Sequence, residues 1–143
     1  MTEQIYFEDL NEGDAIPELK KNPSTQQLVQ WAAGSGDFYQ IHYDKDFAQN
    51  TGLQGIIVHG ALKHAFLGDL LHRVAGAEGR VKRVSCSYRG MDVPAEEYTL
   101  RGIVTRKYQE GEKNFIEMEI WGENEKGQKT TPGTGTVTLP SRG

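Results

Sequence analysis

An aspartate and a histidine stand five residues apart in the segment with the clearest chemical potential. The segment reads SGDFYQIHYDKDFA over residues 35–48. It is predicted to be a loop between two helices, and a loop leaves side chains free to point into a cleft. Histidine exchanges a proton near neutral pH and a carboxylate can orient one, so Asp37 and His42 can hold a water between them. The alternative is that Asp37 only caps the turn after Gly36 and that His42 is a half-buried structural histidine.

A second segment, GIIVHGAL at residues 55–62, leads into an apolar helix. The first backbone N–H groups of a helix have no partner within it and lie at its positive end. Gly60 has no side chain to block a close approach. Its N–H is therefore a candidate oxyanion hole for a carbonyl oxygen that gains negative charge. A glycine before a helix is common, so this feature is informative only together with the first segment.

Taken together, the two segments resemble the (R)-specific enoyl-CoA hydratases, also called the MaoC-like dehydratases. That family has a Gly-Asp pair followed by an aliphatic residue, a histidine and a small residue, and then a His-Gly pair at the start of its central helix. The residues that match are Gly36, Asp37, Ile41, His42, Ala48, His59 and Gly60. Later landmarks of the family resemble Tyr88-Arg89, Val93-Pro94 and the closing residues 135–140, so the resemblance spans nearly the whole chain.

The resemblance implies an α+β hot-dog fold, in which an antiparallel sheet wraps around a central helix, as a single domain over residues 1–143. It implies that Asp37 and His42 are the catalytic pair and that Gly60 N–H binds the thioester carbonyl. The reaction would be the reversible hydration of a trans-2-enoyl-CoA to an (R)-3-hydroxyacyl thioester. The residues expected to contact the substrate are Tyr39, Gln40, Ile41, Val58, His59 and Leu62.

Coenzyme A is then part of the substrate, and no separate cofactor is expected. The family usually pairs two hot dogs. The resemblance therefore implies a homodimer, or a heterodimer with another hot-dog subunit.

The chain departs from the family pattern at three places. Tyr39-Gln40 stand where the family normally has Asn-Pro, Gly68 replaces a serine that many members carry, and Glu96-Glu97 replace a Gly-Asp pair. If Tyr39 faces the pocket, it shortens the pocket or donates a hydrogen bond to an oxygenated substrate. If it faces outward, it packs on the neighbouring helix.

Three helices are predicted in the first half of the chain. Ser24 and Gln27 form a capping-box pattern at the start of the first helix, which is expected to end at Gly34. Asp44 is the predicted N-cap of a short second helix, and the third helix begins near Gly60. The third helix has an apolar face made by Leu62, Ala65, Phe66, Leu70 and Val74, widened by Leu67 and Leu71.

The second half of the chain has the pattern of a strand meander. β-branched and aromatic residues are frequent at 81–88, 98–108, 114–121 and 130–139, and a hairpin turn is predicted at 124–127. A further strand is expected around residues 14–20. Helices followed by a run of antiparallel strands indicate an α+β fold.

Composition excludes several classes of function. The 143 residues include sixteen Lys and Arg against twenty Asp and Glu, a net charge of −4, which argues against nucleic acid as the partner. Cys86 is the only cysteine, so a reducing compartment is expected. The start of the chain lacks the pattern of a secretory signal, and no apolar stretch approaches the ~20 residues needed to span a bilayer. The expected location is the cytoplasm, without membrane association.

Two rival interpretations compete with the hydratase, and a metal site is weighed beside them. A metal site is not expected, although His42, His59, His64 and His72 lie within 31 residues, because no His-x-x-x-His pair is present. A hot-dog acyl-CoA thioesterase usually has its acid or base elsewhere in the fold. A non-catalytic acyl-CoA-binding or structural hot-dog subunit would tend to have lost Asp37 or His42, and both remain.

Overall fold

A computed structural model describes residues 3–143 of the chain. The first two residues of the predicted domain range 1–143 lie outside the described residues. The described part has these elements in chain order: β1 (Leu19–Lys21), α1 (Thr25–Ser35), α2 (Lys45–Asn50), α3 (Gly60–Ala75), β2 (Arg80–Cys86), β3 (Tyr98–Glu110), β4 (Lys113–Glu123) and β5 (Lys129–Leu139). Single 3-10 turns form at Phe7–Asp9 and Gln40–His42.

The five strands form one antiparallel sheet in the order β1-β3-β4-β5-β2. The strands β3, β4 and β5 follow one another as a meander, and the predicted turn at residues 124–127 joins the last two. Gly127 has a φ of 75°, which glycine adopts without strain, and its N–H donates to the carbonyl of Asn124 at 3.0 Å. The helix α3 contacts β2, β3, β4 and β5. The α+β class and the sheet around a central helix are therefore confirmed.

One face of α3 fills the core. Leu67 and Leu71 are completely buried, and the predicted apolar residues Leu62, Phe66, Leu70 and Val74 are buried beside them. Ala65, which the sequence pattern placed on the same face, is exposed. The buried position one turn after the helix start is instead occupied by Lys63, which is only 2 % exposed. An α-helix has 3.6 residues per turn, so residues 63, 66, 67 and 70 lie on one face and residue 65 lies on another.

Capping residues determine where α1 and α2 begin and where α1 ends. Ser24 Oγ accepts a hydrogen bond from Gln27 N at 3.1 Å, and Asp44 Oδ1 accepts one from Phe47 N at 3.0 Å, so both predicted N-caps are confirmed. The predicted end of α1 at Gly34 is wrong. The helix continues to Ser35 and ends at Gly36, because Gly36 adopts the left-handed conformation (φ 79°).

The predicted strands are found with shifted ends. The strand β2 stops at Cys86 instead of Tyr88. Beyond it, Arg89 N and Gly90 N both donate to the carbonyl of Thr130, which is not a regular strand ladder, and the Tyr88 ring lies against the start of α3. Near the N-terminus, Ala15 makes an isolated bridge with Ile103, and only Leu19–Lys21 form a strand. Among the residues described, none of the helices is long and apolar enough to cross a membrane.

Candidate active site

The turn after α1 fixes the position of Asp37. Ser35 Oγ donates to the carbonyl of Trp31 at 2.6 Å and accepts a hydrogen bond from Asp37 N at 3.2 Å. Asp37 Oδ1 in turn accepts a hydrogen bond from Tyr39 N at 3.3 Å. Asp37 thus does cap its own turn, but only with one carboxylate oxygen. The other oxygen, Oδ2, points towards His42.

A hydrogen bond to a backbone carbonyl orients the imidazole of His42. The ring lies in the 3-10 turn Gln40–His42, and its Nδ1 is 2.8 Å from the carbonyl oxygen of Ile57. Since a carbonyl only accepts hydrogen bonds, Nδ1 carries the proton, and this assignment follows from the hydrogen-bond network. In the neutral ring, Nε2 is then free to accept a proton. It faces Asp37 Oδ2 at 3.9 Å.

The gap between His42 and Asp37 has the dimensions of a water site. The distance of 3.9 Å is too long for a direct hydrogen bond between Nε2 and Oδ2. A water oxygen ~2.8 Å from both atoms would see them at an angle of about 90°, which two hydrogen bonds from one water can approach. Asp37 is 47 % exposed at its side chain, so water reaches this gap from solvent. The pair can therefore hold and deprotonate a water.

The ring of His59 lies directly behind His42. The two ring centroids are 3.8 Å apart and the planes differ by 21°, which is a stacked arrangement. His59 is completely buried, and its Nε2 is 3.4 Å from the carbonyl oxygen of Asp37. Burial, and secondly the proximity of a charge on His42, hold the pKa of His59 below its usual value. His59 is therefore a neutral ring that supports His42 from behind.

The only three potential metal ligands that converge among the described residues are Asp37, His42 and His59. Their geometry does not suit a metal. A histidine nitrogen binds an ion in the plane of its ring, and two stacked rings direct their lone pairs along parallel lines. The expected absence of a metal therefore remains a prediction that this geometry favours.

The N-terminus of α3 presents an unused backbone donor. Gly60 is the first residue of the helix, and its N–H donates to no acceptor among the described residues. A Cβ at this position would lie 3.1 Å from Cε2 and Cζ of Tyr88. The glycine therefore allows the aromatic ring to lie against the helix start, next to the N–H that was predicted to bind the thioester oxygen.

His42 and Gly60 open into the same cleft, which has a volume of about 400 Å³. Its lining consists of His42, Ile57, Val58, Gly60, Lys63, Tyr88, Arg89, Gly90 and Met91. The cleft thus joins the histidine of the predicted catalytic pair to the predicted oxyanion donor. At its rim, Tyr88 and Met91 are 54 % and 64 % exposed, which is high for large apolar side chains.

Of the predicted substrate contacts, only Val58 lines this cleft. Tyr39 is 53 % exposed and packs edge-on against Phe47 of α2, with ring centroids 6.0 Å apart. His59 is buried behind His42, and Leu62 is buried in the core. The remaining two, Gln40 and Ile41, belong to the 3-10 turn and accept backbone hydrogen bonds through their carbonyl oxygens. None of these five residues is among those that line the cleft.

The sequence analysis did not predict the wall of the cleft that Lys63 and residues 88–91 form. Lys63 Nζ donates to Asp92 Oδ2 at 2.9 Å and to the carbonyl of Gly90 at 3.0 Å. Asp92 Oδ2 also accepts a hydrogen bond from Thr130 Oγ1 at 2.7 Å. The signal for Lys63 was present as a cation on an apolar helix face. Its partners were not readable, because they are 27 or more residues away in the sequence.

Comparison with known families places this site in context. The model of the MaoC-like domain family matches residues 12–134, which is most of the chain. The chain belongs to the MaoC-like dehydratase family. The predicted recognition is thereby confirmed.

Solved structures agree with that membership. The MaoC-like chain superposes on the (R)-hydratase from A. caviae involved in PHA biosynthesis with a TM-score of 0.81 and 26% identity, covering 92% of this chain and 98% of that one. R-hydratase PhaJ1 from Pseudomonas aeruginosa, in its unliganded form, gives a TM-score of 0.87 at 21% identity, with coverage of 97% and 88%. The hot-dog fold is therefore shown.

One curated relative is a much larger protein. The MaoC-like chain is 36% identical over 81 residues to the fatty acid synthase beta subunit TOXC of Cochliobolus carbonum. The match covers 55% of this chain but only 4% of that protein. The chain thus corresponds to a small part of the relative's length.

Proposed function

We propose that this protein catalyses the reversible addition of water to a trans-2-enoyl-CoA, giving an (R)-3-hydroxyacyl-CoA. One observation carries the proposal. His42 Nε2, which is the acceptor nitrogen of the neutral ring because Nδ1 donates to Ile57, faces Asp37 Oδ2 at 3.9 Å beside a cleft lined by Gly60, whose N–H is free. Membership of the MaoC-like dehydratase family and the likeness to an (R)-hydratase support the same reaction.

The geometry suggests a role for each group. A water between the two side chains donates one hydrogen bond to Asp37 Oδ2 and the other to His42 Nε2. As its oxygen bonds to C3 of the alkene, its proton passes to Nε2, and the electron pair moves through C2 to the thioester oxygen. Gly60 N–H, at the positive end of α3, stabilises that negative charge. When the enolate collapses, C2 takes a proton back from the imidazolium, so one water has been added.

The same groups run dehydration in reverse. The neutral His42 removes the C2 proton, and the protonated ring then returns it to the departing C3 hydroxyl. Proton transfer by such a positioned pair contributes roughly 10²–10⁴ to the rate. No separate cofactor takes part in these steps, and coenzyme A serves as the handle of the substrate.

The test is an assay of hydration across a panel of trans-2-enoyl-CoA esters. Loss of the enoyl absorbance measures hydration, and release of free thiol measures hydrolysis. We expect hydration without thiol release. The variants Asp37→Asn and His42→Ala should each lose ~10²–10⁴ of the rate while they remain folded.

The substitution Ser35→Ala offers a milder matched control. It removes a side chain of the same turn whose only contact with Asp37 is to the backbone N–H, so it should affect the rate far less than Asp37→Asn. Near wild-type turnover in either folded variant of the pair would refute the assignment. Thiol release without hydration would identify a thioesterase, and binding without turnover would identify a non-catalytic subunit.

We also propose that the protein is a homodimer. Both edge strands of the described sheet, β1 and β2, lack a partner on their outer side, and exposed edges of this kind are usually covered. Phe38, Tyr88 and Met91, all more than half exposed, add apolar surface near the site. A heterodimer is the alternative, by analogy with the ChsH1-ChsH2 complex from Mycobacterium tuberculosis, a structural match with a TM-score of 0.78 and 22% identity.

Light scattering distinguishes these states. We expect twice the chain mass of 16.0 kDa for the protein purified alone. A fully active monomer would overturn the proposal. A cytoplasmic location, and the absence of nucleic acid or membrane partners, stay expectations from composition.

A further inference from the structure

A charged pair is buried between the cleft and the core, where the mechanism proposed above does not use it. The side chains of Lys63 and Asp92 are 3 % and 6 % exposed, and their Nζ and Oδ2 atoms are 2.9 Å apart. Removing two charges from water is costly, and replacing a buried ion pair by apolar residues is often neutral or stabilising. Asp92 Oδ1 also accepts no hydrogen bond from the described residues. Stability alone therefore gives a weak reason for the pair.

The pair joins the first turn of α3 to the segment Tyr88–Met91. On its β5 side, this segment is tied through its backbone, since Arg89 N and Gly90 N donate to the carbonyl of Thr130 at 2.8 and 3.2 Å. From the α3 side, Lys63 Nζ donates to the carbonyl of Gly90 at 3.0 Å. The segment is thus held at both sides, and one side depends on the lysine.

Asp92 fixes the end of the same segment from three directions. Its carboxylate accepts from Lys63 on α3 and from Thr130 on β5. Its backbone carbonyl accepts from Val58 N at 2.8 Å, two residues before the start of α3. These bonds bring the segment against the residues that lead into Gly60.

The consequence of this arrangement is the position of Tyr88. Its ring lies where a Cβ on Gly60 would be only 3.1 Å away, and Lys63 Nζ is 6.0 Å from its centroid. Tyr88, Gly90, Met91 and Gly60 all line the cleft. The distance between this segment and α3 therefore sets the width of the cleft beside the Gly60 N–H.

We propose that Lys63 and Asp92 are positioning residues, a clamp that holds the segment Tyr88–Met91 across the start of α3 and so sets the width of the substrate cleft at Gly60. The effect of the clamp on catalysis rests on the proposed function, whereas its effect on the position of the segment is independent of that function. The clamp makes no contact with the reacting atoms and acts through Tyr88 and Gly90.

The test replaces both charged residues of the clamp by apolar ones, so that neither charge is left buried without its partner. The double variant Lys63→Met/Asp92→Leu keeps side chains of similar length in the core, and Lys21→Met/Asp69→Leu is the matched control. Lys21 Nζ and Asp69 Oδ2, 2.6 Å apart, also pair a lysine with an aspartate of α3, but this pair is partly exposed and neither residue lines the cleft. Asp69 also binds Arg73, whose side chain is exposed, so the control variant leaves no buried charge unpaired. Three properties are measured for both variants: thermal unfolding, steady-state kinetics, and amide hydrogen exchange of residues 88–91, read at the hydrogen-bonded N–H groups of Arg89 and Gly90.

For the clamp variant we expect unfolding near the wild-type temperature, together with at least tenfold faster exchange at residues 88–91. We also expect a higher KM and a kcat/KM lowered by about 10- to 100-fold, since a misplacement of ~1 Å can cost ~10²-fold. The control should change neither the exchange of this segment nor KM. A purely structural role would move the unfolding temperature and leave KM unchanged.

Wild-type exchange at residues 88–91 in a folded clamp variant would overturn the proposal. So would faster exchange with unchanged kcat/KM in an active enzyme. If no thioester is hydrated even by the wild type, the proposed function fails, while the exchange comparison still decides on the clamp. If the double variant does not fold, Thr130→Val takes its place, because it removes the hydrogen bond from Thr130 Oγ1 to Asp92 with a side chain of the same shape. Wild-type exchange at residues 88–91 in Thr130→Val would also contradict the proposal.

Discussion

The backbone N–H of Gly60 can be removed almost alone by the substitution Gly60→Pro. Proline fits the first position of a helix, where its missing N–H breaks no intrahelical bond. The residue before a proline must adopt an extended conformation, and His59 already does, with φ −57° and ψ 135°. Because the N–H of Gly60 has no acceptor among the described residues, the substitution costs no hydrogen bond of the folded protein.

Gly60→Ala is the matched control, because it adds the Cβ of proline and keeps the N–H. That Cβ would lie 3.1 Å from two carbons of the Tyr88 ring, whereas carbon atoms pack best at ~3.5–4.0 Å. The ring therefore has to retreat by about half an ångström, given this optimum. Since Tyr88 is 54 % exposed, it has room to do so.

The two variants should differ mainly in kcat. One oxyanion donor is worth ~3 kcal/mol, which corresponds to a factor of about 10²–10³ in rate. We expect Gly60→Ala to change KM modestly, and Gly60→Pro to lower kcat by about 10²–10³ relative to Gly60→Ala. The assay is steady-state hydration of trans-2-butenoyl-CoA, and circular dichroism melts check that both variants are folded. A folded Gly60→Pro with the kcat of Gly60→Ala would refute the oxyanion role of this N–H.

Two further predictions concern residues near the pair. Tyr39→Asn should leave the preference among enoyl-CoA chain lengths unchanged, because the Tyr39 ring packs on Phe47 and does not line the cleft. The measurement is the hydration rate for each ester of the panel, and a changed order of rates would contradict this orientation. The pKa of His59 is lower in the folded protein than its value of 6.5 in the unfolded chain. Below pH ~6.5 the unfolded chain therefore binds more protons than the folded protein, and the free energy of unfolding should fall as the pH drops. Urea unfolding from pH 8 to pH 5 measures this dependence, which should become weaker in His59→Asn; an identical slope in both proteins would show that His59 is not responsible.

Local patterns predicted the parts of the site that depend on neighbouring residues. The N-caps at Ser24 and Asp44 need only an oxygen three residues before a free N–H, and both are found. The approach of Asp37 to His42 depends on one turn between two helices. The segment around both residues therefore carried enough information to predict that the two side chains approach each other.

Contacts between distant segments were not predictable in the same way. The orientation of His42 depends on the carbonyl of Ile57, fifteen residues away, and the clamp joins Lys63 to Asp92 across 29 residues. A single sequence shows that a lysine lies on an apolar face, but not which carboxylate neutralises it. The predicted substrate contacts near His42 lie outside the cleft for the same reason. One wall of the cleft comes from residues 88–91, of which the strand pattern assigned only Tyr88 to β2 and the other three to no element.

In the proposed reaction, the stacking of His42 on His59 limits which ring nitrogen can carry the proton. In the proposed hydration step, His42 gains a positive charge only 3.8 Å from the ring of His59. Two charged rings at that distance would repel each other strongly, so only one of them can hold the proton. Burial keeps that ring from being His59, whose nitrogens have no access to the cleft. In the proposed mechanism, the proton taken from water therefore stays on Nε2 of His42, from which it can return to the substrate.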